Sequence, residues 1–298
     1  MLKSPILRQW QRLVRFHPKS DPSKAVIGQP IDPKLDVGLA LRHNTQDIPV
    51  QLYSGTSVLA PGKPTGQTAS IARLLSPVSQ AEAGTIRCIG LNYRQHAAEV
   101  NLPLPTTPSL FLKPATALTN PYPTRVPLPH LTQADDSGDY EAELAVVIGA
   151  VAKNVRAADA LSYVLGYTAA NDVSSRTAQF ATSQWCFSKG FDGSCPLGPV
   201  LVSPNLIPDP GSLKVKGLRN GELLQDGATD DLIFGVAELI AFLSQGTTLL
   251  PGTVILTGTP AGVGVVRKPK VTLRAGDEFH VQIEPHVGTL VSVFENEP

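Results

Sequence analysis

The chain has 298 residues, 42% apolar and 17% charged, so it can build a core and is not a disordered segment. Lysine plus arginine equal aspartate plus glutamate at 25 each, which excludes a nucleic-acid or membrane-surface protein recruited by bulk charge. The 27 prolines and 25 glycines are spread along the chain and suit many short strands and turns rather than a helical bundle.

Residues 1–20 carry Lys3, Arg8, Arg12, Arg15 and Lys19 and no acid, as an import presequence does. Leu13-Val14-Arg15-Phe16 also reads as an ordinary first strand, and we favour the strand. A second strand is expected over 48–53, a breaker-rich loop over 60–66, and a short apolar segment over 71–75. A boundary near residue 80 divides the chain into a small N-terminal domain, 1–80, and a larger one, 81–298. Beyond it, 85–90 is a strand ending at Gly90.

The run from Leu144 to Gly149 is apolar and β-rich, which predicts a strand entering a core. Two segments have helical patterns. Residues 157–165 show a Leu161/Val164/Leu165 face with Gly166 as the stop, and 236–245 show Val236/Ile240/Leu243 with Gly246 as the stop. Between them, Asn220-Gly221 joins 214–219 to 222–225 as a hairpin, because that pair supplies the positive φ values of a tight turn. Residues 253–257 and the alternating Phe279, Val281 and Ile283 are further strands. No repeat and no strict βαβ rhythm is present, so the fold class is α+β and mostly β. The longest apolar run, 144–152, is about half the roughly 20 residues a membrane helix needs. Cys88, Cys186 and Cys195 form no metal or disulfide pattern and read as reduced thiols of an intracellular protein, cytoplasmic or mitochondrial.

Five stretches carry side chains with chemical potential. Glu141 and Glu143 alternate on one strand, so their carboxylates share a face, together with Asp139. Like charges at the mouth of a buried strand repel and lose hydration, so a positive group belongs between them. An oxygen-preferring divalent cation satisfies that, as do Lys or Arg partners or plain solvation. His96 and Glu99 are three apart on a short predicted helix cut off by Pro103 and Pro105. They form either an oriented base or a solvated ion pair. Asp172 sits among small apolar residues and wants a cation, unless it caps a helix starting at Val173. Arg176 and Gln179, also three apart, can face a carboxylate. Lys189 stands alone among aromatics and glycines, and the turn Gly258-Thr259-Pro260-Ala261-Gly262-Val263-Gly264 offers free N–H groups and a hydroxyl.

Taken together, Gly90-Leu91-Asn92-Tyr93 with His96 and Glu99, Phe111-Leu112-Lys113-Pro114, Tyr140-Glu141-Ala142-Glu143-Leu144, Asn171-Asp172-Val173-Ser174, Ser188-Lys189-Gly190-Phe191-Asp192 and the 258–264 turn resemble the fumarylacetoacetate hydrolase family, in its order and over about residues 85–290. The C-terminal Val266-Arg267-Lys268-Pro269 and 273–278 resemble its domain-containing-protein-2 branch, which includes oxaloacetate tautomerases. The resemblance implies a mixed β-sandwich roll, a homodimer, and Mg²⁺ (or Mn²⁺ or Ca²⁺) on Glu141, Glu143 and Asp172. It implies His96 and Glu99 as a dyad on a closing lid, Lys189 as a catalytic contact, and Tyr93, Arg176, Gln179, Gly258 and Thr259 toward the substrate. The substrates so implied are 2-oxo or 2,4-dioxo acids. Oxaloacetate tautomerisation stands slightly ahead of acylpyruvate hydrolysis, with decarboxylation and a non-catalytic metal-binding scaffold as the other outcomes. Asp139 has no assigned role.

Overall fold

The hairpin at Asn220-Gly221 forms as its residues dictate: both adopt positive φ, 51° and 85°, and Arg219 pairs with Glu222 across the turn. It is one edge of a five-stranded sheet. From that edge the order is Glu222–Ala228, Lys214–Arg219, Glu278–Glu284, Gly288–Asn296 and Arg125–Leu128. The computed structural model describes residues 9–44 and 47–298. A larger sheet of eleven strands packs against the first. Its central strands, Ala142–Ile148 and Val164–Asn171, are buried at every position. A strand buried on both faces reads as a continuous apolar run, which is why 144–149 carries no alternation. Tyr140 stacks on Phe279 with ring centroids 4.5 Å apart, stitching the two sheets together at the site end.

Strand Arg12–Pro18 pairs with Cys195–Val202 through Arg12 and Leu13, and its Arg15 and Phe16 are flanked by Val26–Pro30 and Pro64–Leu75, so the N-terminal strands extend the large sheet. The presequence-like residues 1–8 lie outside the described residues. No helix among the described residues is long and apolar enough to cross a membrane.

Two expected elements differ from those observed. Residues 64–66 belong to the twelve-residue strand Pro64–Leu75 rather than to a loop. The helix over 157–165 ends early: Ala157–Ala160 and a 3-10 turn, Leu161–Tyr163, give way to strand at Val164. Val164, Leu165 and Tyr167 are strand formers fully enclosed in the sheet, and that packing overrides a helical pattern of only three apolar residues. Gly166 is therefore no helix stop. A Cβ there would lie 2.6 Å from the Val202 carbonyl oxygen, so glycine permits close strand approach. The later helix, Val236–Leu243, buries Val236, Ile240 and Leu243 as expected, with Leu239 added to the face.

Candidate active site

Strands Ala142–Ile148 and Val164–Asn171 run antiparallel with Ala142 opposite Asn171. That register delivers Glu141 and Glu143 from one strand to Asp172 just past the other. One carboxylate oxygen from each lies within 4.8 Å of the others, and all three residues are buried. Asp172 does not cap a helix at Val173, since the helix begins at Arg176 and Ser175 caps it. Its oxygens instead accept from Lys113 at 2.6 Å and Lys189 at 2.9 Å. Glu141 accepts from Arg176 at 2.7 Å and from Lys189 at 2.8 Å. Burial pushes the Glu141 carboxyl up, but Lys189 and Arg176 overrule it and hold the pKa at about 2. Burial pulls the pKa of Lys189 down, but Asp172 and Glu141 overrule it and hold it above the ordinary lysine value.

Asp139, left without a role by the sequence, is the hub behind this cluster. Its carboxylate accepts from Arg176 Nε at 2.8 Å and from the backbone N–H groups of Tyr140, Gly264 and Val265. It therefore fixes the guanidinium and ties the 258–264 turn to the carboxylate strand. Lys113 was also missed as a site residue. It is fully buried at the end of strand Ser109–Lys113, and a lysine in an apolar strand closed by proline was the available signal.

Four buried carboxylates thus face three cations, and Glu143 is the one with no cationic partner among the described residues. Its carboxylate accepts the Gly258 N–H at 2.6 Å. Burial, then Asp172 and Glu141, push its carboxyl well above the usual range. An all-oxygen set with one uncompensated buried carboxylate fits a hard divalent cation, which would be held by Glu141, Glu143 and Asp172.

In front of the carboxylates lies a cavity of about 820 Å³ lined by Glu141, Arg176, Gln179, Lys189, Thr259, His96 and Glu99. The Arg176 side chain donates to Asp139, Glu141 and Gln179, while its buried Nη2 has no partner among the described residues. Thr259 is held by donating to the Ala142 carbonyl and accepting from Gln225, a hairpin residue the sequence did not single out. His96 Nδ1 meets Glu99 at 2.9 Å, and the other Glu99 oxygen accepts from the Gly262 N–H at 2.9 Å. The dyad helix, Arg94–Glu99, is thereby hooked to the glycine turn.

Two expected substrate contacts are not in the lining. Tyr93 is fully buried behind it with its hydroxyl unpartnered, because the strand-to-helix turn points the ring into the core. Gly258 spends its N–H on Glu143 rather than on a ligand.

A buried carboxylate trio, a cationic anchor and an oriented imidazole on one cavity wall define a metal-dependent enzyme of the isomerase-or-hydrolase kind. The family model described as "Fumarylacetoacetate (FAA) hydrolase C-terminal" matches residues 85–295. The chain belongs to the fumarylacetoacetate hydrolase family. It is 42% identical over 300 residues to the caffeoylpyruvate hydrolase of Neonothopanus nambi, covering 99% of this chain and 96% of that one. It is 44% identical over 220 residues to oxaloacetate tautomerase FAHD2A, mitochondrial, of Homo sapiens, covering 73% and 68%. Among solved structures it resembles a 5-carboxymethyl-2-hydroxymuconate delta-isomerase from Mycobacterium smegmatis. That match has a TM-score of 0.76 and 33% identity, and it covers 96% of this chain and 100% of the other.

Proposed function

We propose that the enzyme cleaves 2,4-dioxo acids, acylpyruvates with a bulky apolar acyl group, by adding water across a carbon–carbon bond. The observation that carries this reading is the shape of the cavity. One end is charged, with Arg176 and Lys189. Ile89, Leu91, Val100, Leu102, Phe180 and Trp185 make much of the remaining wall apolar, with Lys268 and the His96–Glu99 pair among them. A small diacid such as oxaloacetate would leave most of about 820 Å³ unfilled and most of that apolar wall uncovered. The likeness to a caffeoylpyruvate hydrolase along nearly the whole chain supports the same choice. The preference drawn from sequence, tautomerisation ahead of hydrolysis, is thus reversed.

The residues divide the work. The free Nη2 of Arg176 and the Lys189 ammonium take the substrate carboxylate and its neighbouring carbonyl oxygen, fixing the pyruvoyl end. A divalent cation on Glu141, Glu143 and Asp172, Mg²⁺ in this reading, supplies Lewis acidity at that end. Glu99 accepts the Nδ1 proton of His96, which leaves Nε2 as the base. His96 takes a proton from water as its oxygen attacks the distal carbonyl. The bond between that carbon and the pyruvoyl methylene then breaks, and its electron pair forms the enolate of pyruvate. A proton returned from His96 completes a carboxylic acid and pyruvate.

Tautomerisation is the second reading, supported by the relatives named as oxaloacetate tautomerases. It needs the same anchor and the same base without an attacking water. Following enol absorbance with purified protein and Mg²⁺ on an aromatic acylpyruvate, on acetylpyruvate and on oxaloacetate separates the two. We expect the aromatic acylpyruvate to have the highest kcat/KM, with pyruvate released. Turnover of oxaloacetate alone would overturn the hydrolase reading. A homodimer belongs to the same proposal and is checked by light scattering.

A further inference from the structure

A second cavity, of about 510 Å³, lies where strand Arg12–Pro18 meets residues 75–81 and 118–120. Alternation along that strand sends Val14 and Phe16 into the main core and turns Arg15 and His17 to the opposite face. Arg15 pairs with Leu75 in the neighbouring strand, which places Ser76 at its side. All three of Arg15, His17 and Ser76 line the cavity, and no carboxylate does.

Three donors here lack what such groups require. The half-buried Arg15 guanidinium reaches the Ser76 carbonyl at 3.3 Å and has no ion-pair partner among the described residues. Burial pulls its pKa down, with Glu82 opposing from outside the lining. The Glu82 oxygens are already taken by the hydroxyls of Ser57 and Ser79 and by the Ser79 N–H. Among the described residues His17 Nδ1 is buried without a partner, and so is the hydroxyl of Ser76, a residue only 2% exposed. Buried donors are satisfied in native structures as a rule, so unsatisfied ones that converge on a roomy polar cavity call for an acceptor. Asn120, whose side-chain oxygen accepts the Ser76 N–H at 2.9 Å, lines the cavity beside it.

We propose that this cavity is a second ligand site, taking a small oxyanion, a carboxylate or a phosphate, on Arg15, His17 and Ser76. The guanidinium supplies charge and a planar pair of donors, and the hydroxyl and the Nδ1–H tautomer of His17 supply the rest. The ligand would bridge the first strand to the segments that follow residue 75. None of its contacts belongs to the catalytic cavity.

The test is calorimetric titration of the full-length protein, without divalent metal, with inorganic phosphate and separately with formate, a carboxylate that the proposed cleavage neither uses nor releases. We expect one of the two to bind saturably, and which one does identifies the source of the oxyanion. Arg15→Gln should weaken that binding about tenfold or more while leaving turnover unchanged. Should Arg15→Gln not fold, Ser76→Ala removes a single hydroxyl and is read in the same way. No saturable binding of either anion overturns the proposal. So does binding that both variants retain at parental affinity, which would put the anion elsewhere.

Discussion

The two ends of the catalytic cavity are built on opposite principles. At the inner end Glu141, Glu143, Asp172, Lys113, Lys189 and Arg176 are all buried, and all but Glu143 are cross-linked by ion pairs of 2.6–2.9 Å. At the mouth, Leu102 is 54% and Phe180 71% exposed. A buried ionic network is stable only while every member is paired, so the inner end tolerates little change. Exposed apolar side chains carry no such constraint. If the proposed acylpyruvate cleavage holds, the reaction is written at the inner end and the acyl group is chosen at the mouth.

The comparison breaks most sharply inside the trio itself. Asp172→Asn removes the ion-pair partner of buried Lys113 and one of the two partners of Lys189, so we expect about 3–5 kcal/mol of lost stability together with lost metal binding. Glu143→Gln removes a carboxylate with no cationic partner. It should lose metal equally while unfolding at or above the parental denaturant midpoint. Urea melts and metal calorimetry on both variants decide it. Equal destabilisation of the two would mean that Glu143 is not the uncompensated carboxylate.

Next in size is the base. His96→Ala should retain metal affinity and lose turnover about a hundredfold, within the usual range for a general base. A variant within threefold of the parent would leave the His96–Glu99 contact a structural role only. Asp139→Asn comes third. It weakens the grip on Arg176 and on the Gly264 turn without touching substrate, so KM should rise about tenfold with a smaller change in kcat. Calorimetry should show metal affinity unchanged, and a loss of metal instead would move Asp139 into the ligand set.

How much of this was legible depended on whether a contact was local. Period-two alternation put Glu141 and Glu143 on one face, and three-residue spacing paired His96 with Glu99 and Arg176 with Gln179, all within one element. Asp172 reaches the trio through strand register, which spacing does not encode; the family resemblance supplied it. Lys113 and Gln225 come from strands far away in sequence; the sequence hinted at a buried Lys113 but gave neither residue its partner, and the fold places them at the site. Asp139 was visible on the face, yet its partners at 176 and 264 were not. Tyr93 shows the converse error: a motif neighbour of the dyad, it turns its ring into the core. The helix expected through Leu165 failed for the same reason, since sheet burial is non-local and outweighs a short periodic pattern.

The smallest expected effect tests the mouth. Phe180 lies on helix Arg176–Ala181, which also carries Arg176 and Gln179, so one short element presents both the anion anchor and an exposed aromatic edge. If the mouth selects the acyl group, Phe180→Ala should lower kcat/KM for an aromatic acylpyruvate by about tenfold, the low side for a hydrophobic contact because the ring is largely exposed. Acetylpyruvate, whose acyl end is a single methyl, should be turned over within twofold of the parent. Only the ratio of the two substrates carries the argument, because a loosened helix would slow both alike through Arg176. An equal loss on both would therefore place Phe180 in support of the inner end, and selection of the acyl group would have to rest on Leu102 and Trp185 instead.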